Sequence, residues 1–281
     1  PALGDEGALF LTDVYQGFFP LPPGRPIRSL RIFQVLPKTE THVANRPRLG
    51  YANAESARLL LGTVPVEADG SAYFRVPARK PIYFQAVDES GRAVQGMRSI
   101  VYLQPGERRG CVGCHERPGT APPLRQTLAS RRPPSAIRPG PDGTNPFSFV
   151  RLVQPVLDRH CVRCHDGTPG PQHSRLLLTG HSDGDFSRSY NNLRKYVRWY
   201  EWGGQSIGQI VTRPGHLGAD ESPLARIIDD DIHRQHVRLP EQDRQRLYLW
   251  LDGNAPFYGT YSQVEQVAQR QGKAVLPPPV Q

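Results

Sequence analysis

The chain has 281 residues with 35 Lys and Arg against 26 Asp and Glu, a formal charge of +9, and 29 Pro with 27 Gly. That length holds a real core. The Pro and Gly content argues against a simple helix bundle and for many turns and long ordered loops. No stretch approaches the roughly 18–20 apolar residues of a membrane span. The arginines are scattered without a nucleic-acid fold motif, so nucleic acid is not the expected partner.

In chain order, residues 1–27 are rich in Pro and Gly, with Leu9–Phe10–Leu11 a short strand candidate. "LRIFQVL" (30–36) reads as a strand, and residues 60–103 as a run of short strands. "ADGS" (68–71) and "DESGR" (88–92) supply turns between them. Ala72, Phe74 and Val76 alternate onto one face, as do Ile82, Phe84 and Ala86. The expectation is a small antiparallel β-sandwich over 1–105. Residues 106–281 should then form a mainly helical cytochrome c-like dihaem region, for an α+β chain as a whole. Within it, 117–145 is Pro/Gly/Arg/Ser-rich and expected to be irregular. Wrapping around a haem would give so long a loop a reason to be ordered.

Regular structure should restart at "NPFSFVRLVQPVLDRH", with Asn145 as N-cap, Pro146 at the first helical position and Pro155 as a kink or early break. Leu193, Tyr196, Val197 and Tyr200 form another apolar stripe. Ser222-Pro223 opens a helix carrying Leu224, Ile227 and Ile228. Pro240 opens a further one, with Leu247, Trp250 and Leu251 on one face and Gly253 as its stop.

All four cysteines fall in two copies of Cys-x-x-Cys-His: Cys111, Cys114 and His115, then Cys161, Cys164 and His165. This is the attachment pattern of c-type haem, in which two thiols add across the porphyrin vinyl groups and the following imidazole lies under the iron. One structural zinc is the first alternative, but its Cys pairs are usually about 15–20 residues apart and it needs no His after both. A thioredoxin-like pair lacks its βαβ setting, and disulfides leave the repeated His unexplained. Two covalently bound haem c groups are therefore expected, and with them a periplasmic or extracellular location.

Met97 is the single methionine, so at most one iron could be His/Met. The other histidines are His42, His160, His173, His181, His216, His233 and His236. His236, then His233, are the candidate distal ligands of the second haem, because small cytochromes deliver that ligand just ahead of the terminal helix. The first haem receives no sixth ligand from this reasoning. Asp229, Asp230 and Asp231 read either as an ion or acid–base cluster or as a solvated helix end. Arg98, Arg108, Arg109, Trp199 and Trp202 are candidate propionate partners.

"LGTVPVEADGSAYFRVPARKPIYFQAVDESGRAVQGMRS", "YLQPGERRGCVGCHE", "PVLDRHCVRCHDG" and "LPEQDRQRLYLWLDGNAPFYGTY" resemble, in the same order over roughly 30–262, the haem-bearing C-terminal part of the hydrazine synthase alpha subunit family. The family's long N-terminal region with its β-propeller has no counterpart in these residues, and its partner subunits are missing too. The resemblance implies that the second haem is bis-His, in agreement with His165 and His233 or His236. It also implies an unusual first haem, with a tyrosine four residues after the motif histidine as axial ligand and that histidine turned to a zinc ion. Here that position is Gly119, which favours ordinary ligation by His115.

The function expected from the residues is a dihaem electron carrier, steered by its basic surface to an acidic redox partner in weak contacts. It could belong to a larger complex or homo-oligomer, with the tail "LPPPVQ" as a docking element. The alternative is an enzyme of small nitrogen compounds or peroxide at a five-coordinate first haem.

Overall fold

A computed structural model describes residues 4–41, 43, 46–52, 55–97, 99–114, 119, 121, 125–169, 175–200 and 213–278. Two sheets build the first part. β1 (Glu6–Leu11) lies between β4 (Ala72–Pro77) and β7 (Arg108–Cys111). A second sheet runs β3 (Arg58–Pro65), β2 (Ile27–Val35), β5 (Ile82–Asp88), β6 (Ala93–Gly96). The second sheet is antiparallel throughout. The first is mixed, because β7 pairs parallel to β1, with Leu11 opposite Cys111. That corrects the expectation of a purely antiparallel arrangement.

The predicted alternation of β4 holds: Ala72, Phe74 and Val76 are buried and the residues between them are less so. Phe74 meets Phe84 of β5 edge to face at 5.7 Å, so the two sheets share a core. In β2 and β5 the alternation disappears, since nearly every residue is buried. The second sheet is covered on both faces. Leu30 and Ile32 have one parity; Arg31 and Phe33 have the other, and they meet the helical part of the chain. Phe33 stacks on Tyr83 at 4.9 Å and on Phe147 at 6.0 Å.

The Pro-rich stretch is ordered by the sheets themselves. Thr63 and Arg138 exchange both backbone hydrogen bonds, and Ser135 pairs with Tyr73 and Arg75. Residues 125–145 thus form a strap along the free edges of β3 and β4, which would otherwise present unpaired backbone groups. Arg132 pins it to Glu67 at 2.6 Å and Leu128 N–H donates to Asp69. Gly62 permits the close approach: its φ is +141° and a Cβ there would stand 2.0 Å from the Arg138 carbonyl oxygen.

The helical part starts with α1 (Phe149–Leu152) and α2 (Gln154–His160). The expected continuous helix is broken at Val153, because Pro155 has no N–H to carry the ladder across. Asn145 does not cap it; its amide donates to the Asp142 carbonyl at 2.7 Å, and Ser148 stands at the N-cap. A small hairpin, β8 (Ser182–Asp183) and β9 (Phe186–Ser187), leads to α3 (Arg188–Leu193). The apolar stripe from Leu193 onward is not one helix: a single 3-10 turn at Arg194–Tyr196 ends it and Val197 is extended. Four elements follow, α4 (Gly218–Glu221), α5 (Pro223–Asp229), α6 (Asp231–His236) and α7 (Glu241–Asp252), then α8 (Gln263–Arg270). α7 runs from Pro240 to Gly253 as its sequence signals predict, with Leu247, Trp250 and Leu251 buried. α8 begins at a Ser262-x-x-Glu265 capping pair, in which the Ser262 side chain accepts from the Glu265 amide.

Sheets and helices join at Asp252. Its carboxylate accepts from Arg31 at 2.6 Å, the Ala93 amide at 2.9 Å and the Ala219 amide at 2.9 Å, while its carbonyl takes Gln85 at 2.7 Å. Arg31 and Asp252 side chains are 6% and 0% exposed, so each charge depends on the other. A second, half-buried chain of charges runs Asp88–Arg25–Asp220–Arg92–Asp229 beside it.

Candidate functional site

The two Cys-x-x-Cys-His segments sit in different frames. Cys111 ends β7, and the following turn is held by Thr12 N–H to the Cys111 carbonyl and Asp13 N–H to the Val112 carbonyl, both 3.0 Å. Gly113 packs so closely that a Cβ would stand 1.9 Å from the Gln16 carbonyl oxygen. His115 lies outside the described residues, as do His42, Arg98, His173 and Trp202. Gly119 has φ +85°, so the tyrosine that the family resemblance places there would be strained at this position.

The second segment caps α2. Cys161 N–H donates to the Leu157 carbonyl at 2.8 Å, and Cys164 and His165 N–H both return to the Cys161 carbonyl. Burial, then the neighbouring Cys164, push the Cys161 thiol up to about 11, so it is protonated at neutral pH. His165 Nδ1 lies 3.2 Å from the Leu176 carbonyl. A carbonyl can only accept, so Nδ1 carries the proton and the lone pair is on Nε2. Burial lowers the His165 pKa, the hydrogen bond to the Leu176 carbonyl offsets part of this, and His233 adds to the lowering. The imidazole is therefore neutral at pH 7, with His233 as an electrostatic neighbour.

α6 presents His233 half-buried, whereas His236 is exposed and is tied in through its backbone carbonyl, which accepts from Arg163. Next to Cys161, His160 Nε2 meets Asp243 at 2.8 Å, and Arg159 holds the other carboxylate oxygen at 2.9 Å. Despite the counter-pull of partial burial, these two partners, His160 foremost, keep Asp243 below the usual carboxylate range. The pair staples α2, and so the second segment, to α7. The sequence hid it: His160 was visible as a motif neighbour, but nothing local marks a carboxylate 83 positions away as its partner.

The remaining candidates are dispersed. Met97 packs against the core. His216 pairs with Glu221 on the surface. Asp229 is taken up by Arg92, Arg234 and Tyr248, which makes it part of an ion-pair network and not an open cluster. Arg109 is paired with Glu107, and Trp199 stacks on Tyr51 at 5.8 Å.

All four cysteines are free of disulfides. Among the described residues no group of three or more His, Cys, Asp or Glu is placed to hold a metal ion. The expectation of two covalently bound haem c groups, ligated through His115, His165, His236 and His233, is corrected accordingly: no haem is assigned. The expected cytochrome c-like character of the helical part goes with it, and what stands is a β-rich first part followed by helices. Among the described residues no helix is long and apolar enough to cross a membrane.

Residues 26–116 match the family description "Hydrazine synthase alpha subunit middle domain". The resemblance expected from sequence pointed to the haem-bearing C-terminal part; the matched domain is instead the middle one, and it covers β2 to β7 and the first Cys-x-x-Cys-His but not β1. A curated relative, hydrazine synthase subunit alpha of Kuenenia stuttgartiensis, is 25% identical over 48% of this chain and 24% of its own length. The solved Kuenenia stuttgartiensis hydrazine synthase superposes with a TM-score of 0.63 at 21% identity, over 92% of this chain and 44% of that one. The chain thus spans less than half the length of the proteins it matches. The expected free-standing electron carrier is corrected too, since the proteins of matching sequence and fold carry the name of a synthase. Nearly the whole backbone, sheets and helices together, follows that architecture.

Proposed function

We propose that this chain is part of a multi-subunit enzyme acting on small nitrogen compounds. The match of residues 26–116 to the hydrazine synthase alpha middle domain carries the reading, and the curated relative and the likeness in fold support it. The active region lies around Cys161, Cys164, His165 and His233, with Cys111 and Cys114 as a second centre. In this reading His165 is the proton acceptor: Nδ1 is occupied by the Leu176 carbonyl, Nε2 bears the lone pair, and burial keeps the ring neutral at pH 7. His160 is a positioning residue that holds the α2 terminus through Asp243.

The test uses the protein isolated from its source with whatever co-purifies. Native mass spectrometry gives the assembly, and 15N-labelled hydroxylamine or nitric oxide gives turnover by product analysis. A complex larger than one chain that consumes either compound, and loses that activity in His165→Gln, supports the proposal. A lone chain that consumes neither overturns it. The periplasmic or extracellular location belongs to the same reading and is checked by cell fractionation.

A further inference from the structure

A cleft of about 490 Å3 opens between the end of α5, α6 and the start of α7. Ile228 and Leu239 give it an apolar wall; Arg234, Arg238 and Arg244 give it a cationic one. Asp231 also lines it; its side chain is 96% exposed and lies 3.8 Å from Arg234 as an exposed, solvent-screened ion pair. Arg234 is engaged by Asp229 at 3.3 Å and Arg244 by Glu241. The guanidinium of Arg238 is the one left open to the cleft among these three. Nε of Arg244 is buried without a hydrogen-bond partner, and Arg238 makes no ion pair or hydrogen bond among the described residues.

We propose that this cleft binds a small organic carboxylate. A planar guanidinium can pair with both oxygens of a carboxylate at once. The volume is that of a small-molecule pocket, far more than a bare inorganic oxyanion fills. The apolar wall of Ile228 and Leu239 suits a short hydrocarbon body, with the carboxylate turned to the exposed guanidinium of Arg238. α6 also carries His233, but none of the cleft residues is given a part in the enzymatic role proposed above, and the proposal does not depend on that role.

Calorimetric titration of the full chain with glutarate tests it, with uncharged glutaramide and inorganic phosphate as parallel probes. Glutarate should bind saturably, and glutaramide should not. Arg238→Gln should weaken glutarate about tenfold, and Leu239→Ser severalfold with every charge retained. Arg238 is exposed and unpaired, so its variant should keep the wild-type melting curve, which separates lost binding from lost folding. Absence of glutarate binding, equal binding to Arg238→Gln, or phosphate binding as tight as glutarate would overturn the proposal.

Discussion

The same five-residue pattern occurs twice in this chain, once on a strand edge and once at a helix end. The first copy grows out of β7 and is strapped to the coil at 12–17. The second closes α2 with backbone bonds back to Leu157 and Cys161. Their conformations come from what precedes them, and their rigidity from what lies across them. The first is held by close backbone approach at a glycine, the second by a charged staple, so they should fail differently when disturbed.

Asp252→Ala should have the largest effect, because both copies hang from a frame that this carboxylate joins. It strands Arg31 in a buried site and should cost about 3–5 kcal/mol. Thermal unfolding followed by far-ultraviolet and tryptophan signals should shift down in both together; loss of the helical signal alone would show that sheets and helices stand independently.

Gly113→Ala comes next, at roughly 1–3 kcal/mol, since its Cβ has no room against Gln16. The equivalent position of the second copy is Arg163, whose side chain among the described residues makes an exposed hydrogen bond to the His236 carbonyl, and Arg163→Ala should cost under about 1 kcal/mol. Denaturant midpoints of the two variants give the contrast directly, and equal losses would break it.

Asp243→Asn should cost about 1 kcal/mol at neutral pH. The carboxyl is held below its usual 3.8 in the folded chain. Its stabilisation is therefore present above that value and lost as pH falls through the folded pKa. Wild type and variant should converge in melting temperature towards acid pH; a constant difference down to pH 2 would contradict the staple.

The smallest effect is spectroscopic. His165 should titrate below 6.5 by NMR, and His233→Ala should move its midpoint upward. As a depressed histidine, it contributes stability above 6.5 that is lost as pH falls towards the folded pKa.

The sequence made much of this legible where the information is local. Phe74 and Val76 alternate, "ADGS" turns, and Pro240 and Gly253 bracket α7, because each signal lies within a few residues of its effect. The parallel pairing of β7 with β1 joins segments about a hundred residues apart, and only the fold brings them together. Arg31 and Gln85 are polar strand residues, and they are buried because the helical part covers the face they share. The Pro-rich 125–145 stretch offered no pattern at all, since its order comes from backbone bonds to sheet edges. The candidate site was half visible: the Cys and His identities stood out, but the Leu176 carbonyl and Asp243 did not. Repetition of a motif names residue types, and it does not say what they gather around.

The Arg31–Asp252 contact spans 221 positions of chain. During synthesis from the N-terminus, the cation is made long before its counter-ion leaves the ribosome. The face of β2 that carries Arg31 must stay wet through that interval, so the second sheet should close over its helices only as a late, nearly post-translational event.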